Sequence, residues 1–364
     1  MAKKKPNYKF RRNLAKAFLV LIIIIPIVLI NRVKLAHLPL YLSNTKYTDI
    51  IDAMFEVQYT GSEAKNTLNY LKEKKKINDN TDDYILKLYD KGYNKNTIDY
   101  LIRNLNKSQI TDFLDKKYSK DFEEYIKLDL FKYSKYNRYI KYQEKHKDLS
   151  LEDVVIRIEL NMDKTYYEDS EFIKNPDEIT TLANKYYEIP EDYEPKDLVD
   201  MEDDYANNMY GTLTLRKEAY EKFKEMCNAS RKDGVKFYAE SAYRGYNYQN
   251  IIYKNYIDEN GQEKADKYAA RPGFSEHELG LALDLANIWT ITTKGEEYKW
   301  LTKNAYKYGY IIRYKEEWED ITGYSAESWH IRYVGVKAAS VIQKENITYE
   351  EYYAKYILTK KSSK

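Results

Sequence analysis

The ten residues Ser275-Glu276-His277-Glu278-Leu279-Gly280-Leu281-Ala282-Leu283-Asp284 constrain this chain more than any other stretch. Leu279, Leu281, Leu283 and Leu285 alternate with Gly280, Ala282 and Asp284. That period of two predicts a strand with one apolar face in a core and one face of small residues ending in a carboxylate. His277 and Asp284 are separated by an odd number of residues, so one unbroken strand would point them to opposite faces. His277 is therefore placed in a loop or bend just ahead of the strand. A second segment, Glu327-Ser328-Trp329-His330-Ile331-Arg332, alternates in the same way, with Glu327 at its entrance and at the wrong parity for the face of His330. The chain has only 4 histidines, and two of them fall in these segments beside Asp284 and Glu327. Two imidazoles and one carboxylate are the set a catalytic zinc takes from a protein, with the fourth position left for water and a further carboxylate as general base.

These residues resemble a known family. Ser-x-His-x-x-Gly-x-Ala-x-Asp followed by Glu-x-Trp-His-x-Arg is similar to the signature of the VanY-type zinc D-alanyl-D-alanine carboxypeptidases, part of a larger group that also contains D-Ala-D-Ala dipeptidases, L,D-carboxypeptidases and phage endolysins. Upstream, Ser241-Ala242-Tyr243-Arg244-Gly245-Tyr246-Asn247-Tyr248-Gln249 matches the family's Ser-x-Tyr-Arg-x-x-x-x-Gln. The resemblance covers roughly residues 185 to 345. It implies His277, Asp284 and His330 as zinc ligands and Glu327 as catalytic base. It also implies that Arg244 faces the substrate, where a guanidinium binds a carboxylate or a developing oxyanion. Ser241, Gln249 and Ser275 stand as candidate substrate-binding residues, although serine and glutamine are also common caps and turn formers. Trp329 reads as a packing residue that fixes His330.

Around this centre the sequence predicts three parts. Residues 1–16 carry seven cations and no acid, and an uncharged apolar run follows from Ala17 to Ile30. This is read as a basic tail and signal anchor, residues 1–35, with the membrane partner at 17–30; a cleaved signal peptide is the alternative. Either way the remainder is expected outside the cytoplasm of a bacterial cell, in a single-pass arrangement. Residues 36–150 show helical periodicity. Ile98, Leu101, Ile102 and Leu105 recur at helix spacing after a capping Asn96 or Thr97, a further helix follows Ser108, and Gly92 closes the helix before them. This small all-helical region is read as a spacer or a binding module. Residues 151–364, with a core at 185–345, form the expected catalytic domain. Residues 151–200 are read as short strands and a Pro-punctuated loop. Beyond them, helices beside a small antiparallel sheet give an α+β fold.

Composition limits the partners. The whole chain is +2, but without the seven N-terminal cations 53 basic residues face 58 acidic ones, a net −5. A mildly acidic body lacks the basic face that nucleic-acid binding needs. The single Cys227 permits no internal disulfide and reads as a buried, inert thiol. The expected activity is a membrane-anchored zinc D,D-carboxypeptidase on peptidoglycan stem peptides, using metal-activated water. An L,D-carboxypeptidase or endopeptidase shares the same metal chemistry, and a non-catalytic wall-binding protein is the remaining alternative.

Overall fold

The computed structural model describes residues 32–209, 211–285 and 293–359, and its chain divides into two compact units between Lys127 and Leu128. The first unit is helical: α1 (Leu38–Leu42), α2 (Thr48–Glu56), α3 (Gly61–Glu73), α4 (Thr81–Asp90), α5 (Lys95–Asn104), α6 (Lys107–Leu114) and α7 (Lys120–Tyr125). Polar caps start most of the later helices. Thr60 and Glu63 make a reciprocal box at α3, and Asn106 and Gln109 make another at α6. The cap of α5 is Asn94, whose side chain accepts from the N–H groups of Asn96 and Thr97. Those two residues, expected to be caps, are the donors that the cap satisfies. Ile98, Leu101, Ile102 and Leu105 are all buried, as their spacing predicts. Gly92 follows α4 at φ 105°, the conformation that ends the helix. Among the described residues no helix is long and apolar enough to cross a membrane, and the anchor expected at 17–30 lies outside the described residues.

The second unit begins with α8 (Tyr136–Lys145) and α9 (Leu151–Glu159). Val154–Leu160 was expected to contribute a strand, because its β-branched residues favour one. It folds instead as α9, started by Ser150 accepting from the Asp153 N–H and by Glu152 and Asp153 in the first turn. Val154, Val155, Ile156 and Ile158 are buried there, so packing overrides the residue preference. Two small ribbons follow. β1 (Glu171–Phe172) pairs in parallel with β2 (Tyr187–Glu188), and β3 (Leu198–Asp200) pairs antiparallel with β4 (Thr214–Arg216).

The site rests on a four-stranded antiparallel sheet in the order β5 (Ala239–Ser241), β6 (Ala282–Leu285), β8 (Glu327–Tyr333), β7 (Tyr310–Tyr314). One face packs on α10 (Lys217–Lys232), where Ala219, Phe223, Met226 and Cys227 meet Leu281, Leu283, Leu285 and Ile331 in a common core. Cys227 is fully buried, and desolvation pushes its thiol up to about 12, so it is inert at neutral pH. Helices α11 (Tyr246–Asn260) and α12 (Gln262–Tyr268) contribute Tyr248, Gln249, Ile252, Tyr256 and Tyr268 to the cleft that Asp284 and His330 also line. The chain then adds α13 (Glu296–Asn304), α14 (Glu319–Thr322), α15 (Val336–Glu345) and α16 (Tyr349–Tyr352).

Candidate metal centre and its cleft

Asp284 and His330 are direct neighbours across the β6–β8 ladder, paired in register as Asp284↔His330. Their side chains share a face, and His330 Nδ1 lies 3.0 Å from Asp284 Oδ1. His277 arrives differently. Residues Glu276–Leu279 form a 3-10 turn closed by Gly280 in the left-handed region, φ 62°, before β6 begins. That turn cancels the odd spacing and brings His277 Nε2 to 3.3 Å from Asp284 Oδ2. One ligand atom from each of His277, Asp284 and His330 lies within 4.8 Å of the others, and all three residues are buried.

Each imidazole is fixed from behind. His277 Nδ1 lies 2.6 Å from the Ala242 carbonyl oxygen, an assignment that leaves Nε2 with a lone pair facing Asp284. His330 Nε2 lies 3.4 Å from Glu276 Oε2, so its Nδ1 is the atom turned to the site. Two imidazole nitrogens and one carboxylate held this way fit a tetrahedral divalent metal with an open position. The charges agree with the geometry. Burial and the Arg244 guanidinium push His277 down to about 4, leaving it neutral. Burial opposes ionisation of Asp284, but His277 and Arg244 hold it well below the carboxylate range. His330 is raised to about 9, because Asp284 and Glu276 outweigh burial.

Glu327 opens β8. The β7–β8 register slips between Ile312↔Ile331 and Tyr314↔Glu327, so β8 spends four residues where β7 spends two. This irregularity breaks the alternation that would have turned Glu327 away. Its Oε2 lies 3.8 Å from His330 Nδ1, and burial pushes its carboxyl up to about 7. Arg332, a conceivable ion partner two strand positions beyond His330, points elsewhere and donates to the carbonyl oxygens of Tyr333 and Thr181.

Arg244 follows β5 and reaches across the same centre. Its Nη2 lies 2.7 Å from His277 Nε2 and 2.5 Å from Asp284 Oδ2. Its Nε donates to Ser241 Oγ at 3.0 Å and its Nη1 to Gln249 Oε1 at 3.3 Å. Ser241 and Gln249 thus hold the guanidinium, and Gln249 also ties the wall by donating to the Ala270 carbonyl. Ser275 caps the 3-10 turn by accepting from the His277 N–H. All three candidates line the cleft, with their polar atoms committed to Arg244 or to the backbone. Trp329 lines the cleft half-buried, while the ring packed beside His330 is Tyr314, at 5.0 Å between centroids. The cleft is open, about 360 Å³, with aromatic residues Tyr248, Tyr256, Tyr268 and Tyr324 on its walls.

Sequence reasoning passed over two features. Glu276, one residue before His277, is the carboxylate behind His330; the acids flanking His277 on both sides were the available signal. Lys185 is buried far upstream, donating to the carbonyl oxygens of Gly323 and Asp266 with its ammonium 4.4 Å from the Tyr324 ring. It fastens the turn that leads into Glu327, and nothing local in the sequence announces that.

The VanY family model, described as D-alanyl-D-alanine carboxypeptidase, matches residues 212–336, which contain every candidate site residue. YodJ of Bacillus subtilis (strain 168), named as a carboxypeptidase, is 41% identical over 211 residues, 54% of this chain and 77% of that protein. A D-alanyl-D-alanine carboxypeptidase of Enterococcus faecium is 37% identical over 177 residues, 47% of this chain and 56% of that protein. Among solved structures, the LdcB LD-carboxypeptidase is 41% identical with a TM-score of 0.48, covering 52% of this chain and 92% of that one. A mutant of the vancomycin-resistance D,D-pentapeptidase VanY in complex with Zn(II) is 31% identical with a TM-score of 0.42, covering 48% and 97%. The family-model match and the identity to YodJ over most of that protein's length place the chain in the VanY family of D-alanyl-D-alanine carboxypeptidases, a family of zinc metallopeptidases.

Proposed function

We propose that the protein is a zinc D,D-carboxypeptidase that removes the terminal D-alanine of peptidoglycan stem peptides. We place it at the bacterial cell membrane, held by residues 17–30, with the catalytic domain outside. The observation that carries the catalytic reading is the meeting of His277, Asp284 and His330 within 4.8 Å, with Glu327 beside them at 3.8 Å from His330. His277 through Nε2, Asp284 through its carboxylate and His330 through Nδ1 would hold the ion. When bound, zinc acidifies a water and polarises the scissile carbonyl.

The chain's own residues do the rest. Glu327, with its carboxyl poised at about 7, takes a proton from the attacking water and returns it to the leaving amine. Arg244 shares His277 Nε2 and Asp284 Oδ2 with the candidate metal, so an ion taken by those atoms competes with its Nη2. A guanidinium released from them, and still held by Ser241 and Gln249, is placed to bind the terminal carboxylate of a peptide. The aromatic walls offer apolar contact to the body of the stem.

The test is mass spectrometry of products after incubating the zinc-loaded protein with purified pentapeptide and tetrapeptide stems, beside Glu327→Ala. Loss of one alanine from the pentapeptide alone, absent in the variant, is the expected outcome. Loss from the tetrapeptide or an internal cut would replace the D,D reading by L,D-carboxypeptidase or endopeptidase activity. Bound zinc without any product would favour a wall-binding role.

A further inference from the structure

Behind His330, away from Asp284, the second unit buries four charged side chains in one cluster. Glu276 Oε2 faces His330 Nε2 at 3.4 Å, and Glu276 Oε1 accepts from Arg313 Nε at 2.8 Å. The remaining nitrogens of Arg313 form a fork on Glu350, with Nη1 donating to Oε2 at 2.9 Å and Nη2 to Oε1 at 2.6 Å. Arg332 Nη1 meets Glu276 Oε1 only as an ion pair, at 3.3 Å without a hydrogen bond. The Asn184 amide donates to Glu350 Oε1 at 3.3 Å. The side chains of Glu276, Arg313, Arg332 and Glu350 are each 1% exposed or less.

Burying two guanidinia and two carboxylates is expensive, and apolar residues of similar volume would commonly serve stability as well or better. The arrangement instead suits a geometric purpose. Arg313 on β7 is gripped at both ends, so its guanidinium plane is fixed by Glu350 and in turn fixes Glu276. Glu276 holds the His330 ring with Nδ1 toward Asp284. The chain of contacts therefore runs from α16, through β7 and the 3-10 turn, to a candidate ligand on β8.

We infer that Glu350 is a positioning residue of the metal centre, acting through Arg313 and Glu276 on His330. This rests on the reading of His277, Asp284 and His330 as the zinc ligands. Without the Glu350 charge, two guanidinia face one carboxylate. Arg313 then draws on both oxygens of Glu276, its pull on His330 weakens, and an uncompensated positive charge is left near a site that must accept a dication.

The experiment measures zinc dissociation constants by competition with a chromophoric chelator, on the full chain, for wild type, Glu350→Gln, Glu350→Asp and Glu351→Gln. Partners of metal-bound histidines are worth about 10–100-fold in affinity, and Glu350 stands one link further out, so Glu350→Gln is expected to bind zinc about tenfold more weakly. Glu350→Asp keeps the charge but cannot span both Arg313 nitrogens, and falls between Glu350→Gln and wild type. Glu351 caps the same helix through Thr348 without entering the cluster, so Glu351→Gln loses thermal stability but keeps wild-type affinity. Turnover at saturating zinc stays near wild type in all of them, because no reacting group is touched. Should Glu350→Gln fail to fold, the same comparison is decided by Glu350→Asp. Wild-type affinity in the folded Glu350 variants, even with lowered melting temperatures, overturns the inference alone. A wild type that takes up no zinc overturns the metal reading and this inference together.

Discussion

The residue whose protonation most affects this site is His330. In the metal-free protein Asp284 and Glu276 hold its proton up to about 9. A metal at Nδ1 must displace that proton, so binding releases it and affinity rises with pH. The dissociation constant is expected to tighten by about tenfold per pH unit between pH 6 and 8 and to level off above about 9. His277, neutral above about 4, adds nothing to this slope. The sign for folding is opposite. A folded pKa raised above the ordinary 6.5 stabilises fully below about 6.5 and is lost as pH rises through about 9. The metal-free protein should therefore lose thermal stability between those values, while chelator competition across the same range shows zinc binding more tightly. An affinity that does not vary between pH 6 and 8 would refute a protonated His330. Glu327 makes a separate prediction. It lies beside the candidate ligands without being one of them, so Glu327→Gln should lower kcat by about 10²–10⁴-fold while zinc affinity stays close to wild type. The meeting of these residues was legible in the sequence because histidine is scarce and the motif residues are close together along the chain. Glu276 was not, because its partner His330 is distant in sequence and only the β6–β8 pairing joins them.

At the scale of elements, alternation along Leu279–Leu285 and Trp329–Tyr333 foretold two strands; the structure pairs them, but the first begins only at Ala282, because Leu279 belongs to the 3-10 turn that Gly280 closes. What alternation cannot foretell is where it fails. Glu327 was expected at the strand entrance with the wrong parity, and the slip in the β7–β8 register is what resolves that conflict. Such slips depend on the partner strand, so one segment read alone is silent about them. Val154–Leu160 shows the same limit, since four apolar residues in five serve a buried helix as well as a strand. Gly309 tests how tightly β7 is launched. It follows the 3-10 turn Ala305–Tyr308 at φ 82°, and a Cβ there would stand 2.6 Å from Tyr333 Cε2 and 2.9 Å from the Val336 backbone nitrogen. An alanine can relieve neither the conformation nor the contact with backbone. Gly309→Ala is expected to cost at least about 2 kcal/mol in urea unfolding. Because β7 carries Arg313 and pairs with β8, part of the loss should also appear as weaker zinc binding.

At the scale of the whole molecule, the candidate site residues and their supporting core lie in the unit that begins at Leu128. The sequence placed the edge of the catalytic domain at 151, where residues 151–200 read as short strands and a Pro-punctuated loop. The difference between these edges has a physical test in Glu159. Its carboxylate is 1% exposed at the end of α9, and its partners come from residues 128–150: Lys132 Nζ at 2.6 Å, Lys135 Nζ at 3.0 Å and the Tyr139 hydroxyl at 2.8 Å. Residues 136–145 are therefore more than a spacer to this unit, because α8 and the turn before it neutralise a buried anion. A chain cut to residues 128–364 keeps those partners and should hydrolyse a soluble stem peptide with wild-type kcat/KM. One cut to residues 151–364 leaves Glu159 without them, and removing the partner of a buried charge costs about 3–5 kcal/mol. Thermal unfolding of both truncations, with and without Glu159→Gln in the shorter one, separates this cause from general loss of contacts. Neutralising Glu159 should restore part of the stability of 151–364 and lower that of 128–364. If the shorter chain is as stable as the longer one, the helix at 136–145 adds nothing to the fold of the second unit and is only a spacer to it.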